Sequence, residues 1–295
     1  MSLVHIVILA VVQGLAELLP VSSSAHVIVA EKLLGLDPSQ PEMTLLLVML
    51  HTGTMFAVIL YFWRAWKSSI FASRAVFRQQ AVRLVTATML TAAVGVPLIL
   101  GIEKGAEKSG YLVKDANGHV PKAEIELLFG NLGLISGALL AAGVLILIAG
   151  LAERATARKR AIGIPEAAWI GAVQGLCLPF RGFSRSGATI STGLLLGVLK
   201  ARAEEFSFAL AVIITPAAIG REVWRLLKAQ REAGHFEVTW SLFAPGLVGM
   251  VCAFLAGLLA LGWLSRWLEG GRWYLFGVYC LAAASAVFAL HCHGY

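Results

Sequence analysis

The chain has 295 residues, of which 58% are hydrophobic and 14% charged, and a net charge of +7. Soluble domains average roughly 45–50% apolar and about 25% charged residues. This balance excludes a disordered chain and argues against an ordinary soluble domain; it points to a polytopic membrane protein, which the span-length segments below make all-α. No polar stretch is long enough for a basic soluble domain, so membrane lipids and not nucleic acid are the expected partners.

The first residues, MSLVHIVILAVVQGLAELLP, lack a basic leader and a small-residue cleavage pattern, and read as mature protein. The apolar run of about 3–30 is interrupted by Glu17, Pro20 and Ser22-Ser23-Ser24. Apolar segments long enough to span a membrane follow at about 43–63, 81–102 and 126–151. The polar stretch 103–125 between the last two reads as a solvated surface element. A second interrupted region covers about 165–199, with apolar pieces 165–178 and 187–199 around PFRGFSRSG. At 1.5 Å per residue each piece reaches roughly 20 Å, short of a hydrocarbon core of about 30 Å. Short apolar helices about a polar Gly/Ser turn read as a re-entrant hairpin, tolerated at membrane depth where protein or water surrounds it. Three more spans are expected at about 205–220, 241–264 and 273–291, the first of them short. Cys177, Cys252, Cys280 and Cys292 have no CxxC spacing and read as small apolar packing residues.

The chain repeats itself. Val12-Gln13-Gly14-Leu15 returns as Val173-Gln174-Gly175-Leu176, each followed at nearly the same offset by a proline and a serine-rich turn. The reading is one membrane domain over 1–295. Its first repeat is 1–151, with a hairpin at about 3–30. Its second is 152–295, with a hairpin at about 165–199. Paired interrupted segments mark a midplane site between inverted repeats. Placing 64–80, 152–164, 200–204 and 265–272 on the cytoplasmic side collects, with Arg83, thirteen Lys or Arg, against nine in the remaining loops. Both termini then lie outside. Trp63, Trp66, Trp240, Trp263, Trp267 and Trp273 fall at span ends, where interfacial aromatics are expected.

The two interruptions carry the chemistry. Gln13 and Glu17 are four apart and share a helix face. Ser22, Ser23, Ser24 and His26 follow, and His26 reaches Glu17 only if the chain turns back. The plainer alternative for Glu17 or His26 taken singly is a helix-end or interfacial residue in the headgroup layer. Together they read as facing an interior site, because ionisable groups at membrane depth are costly. The second region offers Arg181, Gly182, Ser184, Arg185, Ser186, Gly187 and Thr189. Its glycines free the backbone to aim N–H groups inward. A helix starting at Gly187 points its N-terminus at the same spot, and a guanidinium fork completes a phosphate-binding set. An ordinary basic loop is the plainer reading, disfavoured by the apolar flanks; for Arg181 alone, a headgroup contact is as good a reading. If the hairpins face each other, acid, imidazole and hydroxyls meet positive charge, as a phosphoryl-transfer site requires.

QGLAELLPVSSSAH (13–26) and RGFSRSGAT (181–189), with HTGT at 51–54 and AEEFSFAL at 203–210, resemble the signatures of the undecaprenyl-diphosphate phosphatase family. The resemblance implies a bacterial inner-membrane enzyme with six spans and two re-entrant hairpins. It would remove the terminal phosphate of undecaprenyl diphosphate, recycle the lipid carrier of cell-wall synthesis and bear on bacitracin sensitivity. Its site would open to the periplasm. It would need a divalent cation, Mg2+ or Ca2+, with Glu17 as the candidate ligand. Glu17, Ser22, Ser23 and His26 match the family's first motif, and Ser184, Arg185, Ser186 and Thr189 its second. Gln13 stands where many members have Glu, and Arg181 where the second motif begins with Pro. His26 is the first choice as nucleophile or general acid, and Ser23 with His26 as its base is the alternative. Arg185, Ser22, Ser184, Ser186, Thr189, Gly182, Gly187, Gln13 and Arg181 would hold the phosphates. A lipid-phosphate flippase without hydrolysis is the rival reading, an ion-coupled carrier of a small anion a more distant one, and a structural scaffold has no need of these residues. The metal, the prenyl chain length and the choice between monomer and homodimer stay open.

Overall fold

The structure is a computed structural model, and it describes residues 2–36, 41–108, 131–155, 161–232 and 240–294. The described residues form ten α-helices and no strand. Their order is two short helices then three long ones, twice over. The first set is α1 (Leu3–Leu18), α2 (Ser23–Leu33), α3 (Pro41–Ser69), α4 (Arg74–Lys108) and α5 (Leu132–Ala155). The second is α6 (Ile164–Cys177), α7 (Arg185–Leu195), α8 (Lys200–Glu232), α9 (Trp240–Glu269) and α10 (Trp273–Cys292).

Six stretches are long and apolar enough to cross a membrane: Leu45–Ser69, Arg74–Gly105, Leu132–Ala152, Lys200–Arg221, Ala244–Glu269 and Trp273–Cys292. They coincide in number and place with the six apolar segments of the sequence. The short fourth segment is completed by its flanks, as helix α8 starts at Lys200. The expected cytoplasmic loops are shorter than composition suggests. Residues 64–69 and 74–80 are helical, 200–204 form the first turn of α8, and 265–269 end α9. Helix ends that leave an apolar layer keep their backbone hydrogen bonds while their side chains turn polar, so charge does not stop the helix. Residues 103–108 likewise belong to α4; the rest of the 103–125 surface element lies outside the described residues, as does the basic run 156–160.

Helix α1 packs on α9 and α6 on α4, while α3 meets α8 and α5 meets α10. The repeated glycines set two of these contacts. A Cβ on Gly14 would lie 2.6 Å from Ala256 Cβ and 2.7 Å from Ala253 O, and one on Gly175 would lie 2.8 Å from Thr91 O. Such close approach of backbones is how helices associate in lipid, where hydrophobicity gives no drive. A core of Leu18, Phe62, Ile146, Ile170, Ile190, Phe208, Leu264 and Trp273 joins both halves.

Two expected interfacial tryptophans are core residues instead. Trp273 is fully buried and its Nε1–H donates to Ser191 Oγ at 3.0 Å; Trp66 is buried and donates to Glu205 O at 3.3 Å. Each indole found a buried acceptor, which removes the reason to sit at the surface. Trp63 and Trp263 are exposed as expected, Trp267 is partly buried, and the side chain of Trp240 lies outside the described residues. The four cysteines are free thiols.

Candidate active site

Both short pairs break where the sequence breaks. Helix α1 ends at Leu18, Leu19–Ser22 turns the chain, and α2 restarts at Ser23. Ser22 has φ 68°, the left-handed region, and is the one non-glycine residue there among the described ones. Such a conformation persists where its surroundings enforce it, and it clusters at functional sites. The turn folds Ser23 back onto the last turn of α1. In the second pair the chain turns at 178–184, where Gly182 has φ 109° and no room for a side chain, since a Cβ would lie 2.5 Å from Ile135 O. Helix α7 starts at Arg185, two residues before the Gly187 expected from sequence. Ser184 caps it, its Oγ accepting from Gly187 N–H at 3.2 Å. One of the amides expected to face a phosphate is therefore already spent on this cap.

The hairpins meet. Arg185 Nη2 donates to Glu17 Oε1 at 2.8 Å, and Ser186 Oγ donates to Leu19 O at 3.2 Å. Ser23 Oγ donates to Glu17 Oε2 at 2.5 Å, and Gln13 Nε2 donates to the same oxygen at 3.1 Å. His51 Nε2, from α3, lies 3.7 Å from Oε2. Glu17 thus gathers donors from both hairpins. The side chains keep exposures of 16% for Glu17, 25% for Arg185 and 40% for His51, so the cluster is reachable from outside the protein.

Other predicted residues support the cluster at one remove. Ser22 and Ser24 pair through their hydroxyls at 3.3 Å, and Ser184 and Ser186 pair likewise at 3.4 Å. Thr189 is fully buried; its hydroxyl donates to Arg185 O at 2.8 Å and lies 2.5 Å from Ser207 Oγ. Thr189 therefore braces the turn that carries Arg185. Gly187 is buried against Ile146, where a Cβ would lie 2.8 Å from Ile146 Cδ1. Arg181 sits half-buried in the 178–184 turn.

His26 is placed differently from expectation. Its Nδ1 lies 2.8 Å from Ser22 O and its Nε2 2.7 Å from Tyr279 Oη, with the two rings stacked. A carbonyl only accepts, so Nδ1 carries the proton and Nε2 takes the tyrosine hydroxyl. The partner that Ser23 has is Glu17, not His26. His51 and Tyr279 were not among the candidates. The HTGT at 51–54 was a visible signal for His51; nothing local marks Tyr279.

The donor set bears on the expected cation. Both oxygens of Glu17 are taken by N–H and O–H donors, one of them a guanidinium, and the amide of Gln13 stands where a second carboxylate would help hold a metal. Among the described residues no three His, Cys, Asp or Glu side chains converge to hold a metal ion. These residues do not fit a cation held by the protein alone.

A carboxylate hydrogen-bonded to a serine hydroxyl, with an arginine on its other oxygen, joins the two short helix pairs of a helical membrane protein. Residues 6–286 match the family described as bacitracin resistance protein BacA, and the chain belongs to that family. It is 56% identical over 294 residues to undecaprenyl-diphosphatase 2 of Acinetobacter baylyi, covering 98% of each chain. It is 35% identical over 298 residues to undecaprenyl-diphosphatase of Anaeromyxobacter dehalogenans, covering 98% of this chain and 92% of that one. The Thermus thermophilus undecaprenyl-diphosphatase is 33% identical over 288 residues, with 96% and 94% covered. The chain is a multi-pass protein of the bacterial membrane.

Proposed function

We infer that this protein hydrolyses undecaprenyl diphosphate to undecaprenyl phosphate and inorganic phosphate, and so recycles the lipid carrier of cell-wall synthesis and bears on bacitracin resistance. The observation that carries the reading is Glu17 held between Arg185 of one hairpin and Ser23 of the other. A flippase needs no activated hydroxyl, and the relatives' names give that alternative no support.

In this reading Arg185 and N–H groups of the 178–184 turn take the terminal phosphate. As the guanidinium moves onto phosphate, Glu17 loses its countercharge and becomes a better base. The proton of Ser23 passes to Glu17 Oε2, Oγ bonds to the terminal phosphorus, and the bond to the bridging oxygen breaks, releasing undecaprenyl phosphate. Water then attacks the phosphoserine; Glu17 returns its proton to Oγ and the water's hydrogens leave with the phosphate. Guanidinium and amide donors stabilise the charge that develops on the equatorial oxygens. A neutral His26, its Nε2 held by Tyr279, shapes the turn beside Ser23. The repeated order of short and long helices supports the two-repeat organisation, with the short pairs as re-entrant hairpins. Family membership favours the inner membrane and a site that opens to the periplasm.

The test is phosphate release from undecaprenyl diphosphate by purified protein in detergent. The reading expects one phosphate and one undecaprenyl phosphate per substrate, lost in Glu17→Gln and Ser23→Ala. Folded wild-type protein that releases none, yet moves a fluorescent lipid phosphate across vesicles, would replace it with the flippase.

A further inference from the structure

Ser22 keeps a left-handed backbone (φ 68°, ψ 95°) at the start of α2, and its own side chain does not fix it. An N-cap serine ordinarily satisfies an amide of the first turn with its hydroxyl. Ser22 makes no such bond, and its hydroxyl lies against that of Ser24. The conformation is imposed through the backbone instead. Ser22 O accepts from the backbone N–H of His26 at a long 3.4 Å and from the ring Nδ1–H of the same residue at 2.8 Å. The ring that supplies the short bond is held from outside the hairpin. Tyr279 Oη, on α10, donates to His26 Nε2 at 2.7 Å, and the two rings lie 13° from parallel with centroids 5.7 Å apart.

The next residue of α10 holds the same turn at a second point. Cys280 is fully buried, and its thiol donates to Pro20 O at 3.4 Å. The carbonyls of Pro20 and Ser22 are thus tied, one directly and one through a ring, to consecutive residues of one helix. That helix is a firm support. A Cβ on Gly277 would lie 2.8 Å from Leu147 N, so α10 and α5 approach backbone to backbone, and Ser136 Oγ donates to Ala284 O at 2.9 Å. Ser23 follows directly on Ser22. A backbone rotation at Ser22 would swing the Ser23 hydroxyl off Glu17 Oε2, which it now meets at 2.5 Å.

We propose that Tyr279 and Cys280 are positioning residues: α10 clamps the turn between α1 and α2, Tyr279 through His26 and Cys280 directly, and so aims Ser23 at Glu17. The proposal rests on the diphosphatase reading, in which Ser23 attacks, and adds the helix that sets its aim. Among the described residues neither side chain is hydrogen-bonded to Glu17, Ser23 or Arg185. Substitution should therefore act on kcat and leave KM alone.

The test compares wild type, Tyr279→Phe, Cys280→Ala and Cys280→Ser, each purified in detergent. Phosphate release from undecaprenyl diphosphate gives kcat and KM. Nitrogen NMR of protein isotopically labelled at histidine reads the His26 ring without turnover, its signals identified by their loss in His26→Ala. Tyr279→Phe keeps the ring and loses the hydroxyl. It should move the His26 Nε2 resonance towards that of an imidazole nitrogen with no donor on it. It should also lower kcat by about tenfold or more, with KM and melting temperature as in wild type. Cys280→Ala should lower kcat in the same way, and Cys280→Ser, which keeps a donor for Pro20 O, should recover most of the loss. An unmoved His26 signal in Tyr279→Phe, a wild-type kcat in that variant or in Cys280→Ala, or a Cys280→Ser no better than Cys280→Ala would overturn the proposal. A wild type that releases no phosphate, while its His26 signal responds to Tyr279→Phe, would refute the diphosphatase reading and leave the clamp standing.

Discussion

Glu17 receives hydrogen bonds from Arg185, Ser23 and Gln13, and each donor predicts a different consequence of substitution. Ser23→Ala removes the hydroxyl facing the carboxylate and should lower turnover by about a hundredfold or more. Ser24→Ala should be close to neutral, because Ser24 pairs with Ser22 and not with the acid. Equal losses in both would mean that the serine turn acts as a structural unit. Arg185→Lys keeps the charge but not the planar fork, so kcat/KM should drop by about tenfold or more, with folding intact by melting temperature. Gln13→Glu places a second carboxylate where an amide now donates. The site would trade a hydrogen bond for like-charge repulsion, and calcium should then raise the melting temperature of the variant and not that of wild type. A calcium-stabilised wild type would count against the view that this chain's own residues do not hold the cation.

At the scale of elements, the short helices were legible and the contacts between distant ones were not. Pro20 and PFRGFSRSG broke two apolar runs in the sequence, and the chain turns at both. The start of α7 moved from Gly187 to Arg185 because Ser184, unread as a cap, satisfies the amide of Gly187. Helix α3 ran past its apolar part, since an amphipathic end costs no backbone hydrogen bond. Tyr279 escaped notice because it meets His26 across the bundle, and local spacing carries no trace of such a contact. His51 stood in the HTGT at 51–54, but its approach to Glu17 from another helix was invisible for the same reason. Trp66 and Trp273 show the converse, because position at a span end says nothing about a buried acceptor on another helix. The repeated glycines were legible as repeats but not as contacts. Gly14→Val would push the α1 backbone off Ala253 and Ala256 and should lower the melting temperature sharply, by the loss of close packing. Gly101→Ala, with nothing within 4 Å of its Cβ, is the matched control and should melt like wild type.

Across the whole molecule, the two hairpins are held on opposite partners, α1 on α9 and α6 on α4, and meet at Glu17 and Arg185. Residues far apart in the chain then form one site only when the full bundle is assembled. The composition made the membrane class legible, and the repeat made two facing hairpins legible. Ser23 was already the alternative nucleophile, but that it pairs with Glu17 and not with His26 was not legible, because the pairing depends on the backward turn at Ser22. The central claim is that Ser23 is the hydroxyl that Glu17 activates. The direct measurement is a rapid acid quench of purified protein with undecaprenyl diphosphate labelled in its terminal phosphate, followed by mapping of the labelled peptide. The account predicts acid-stable label on Ser23, absent in Ser23→Ala. Acid-labile label on His26, or undiminished labelling in Ser23→Ala, would contradict it.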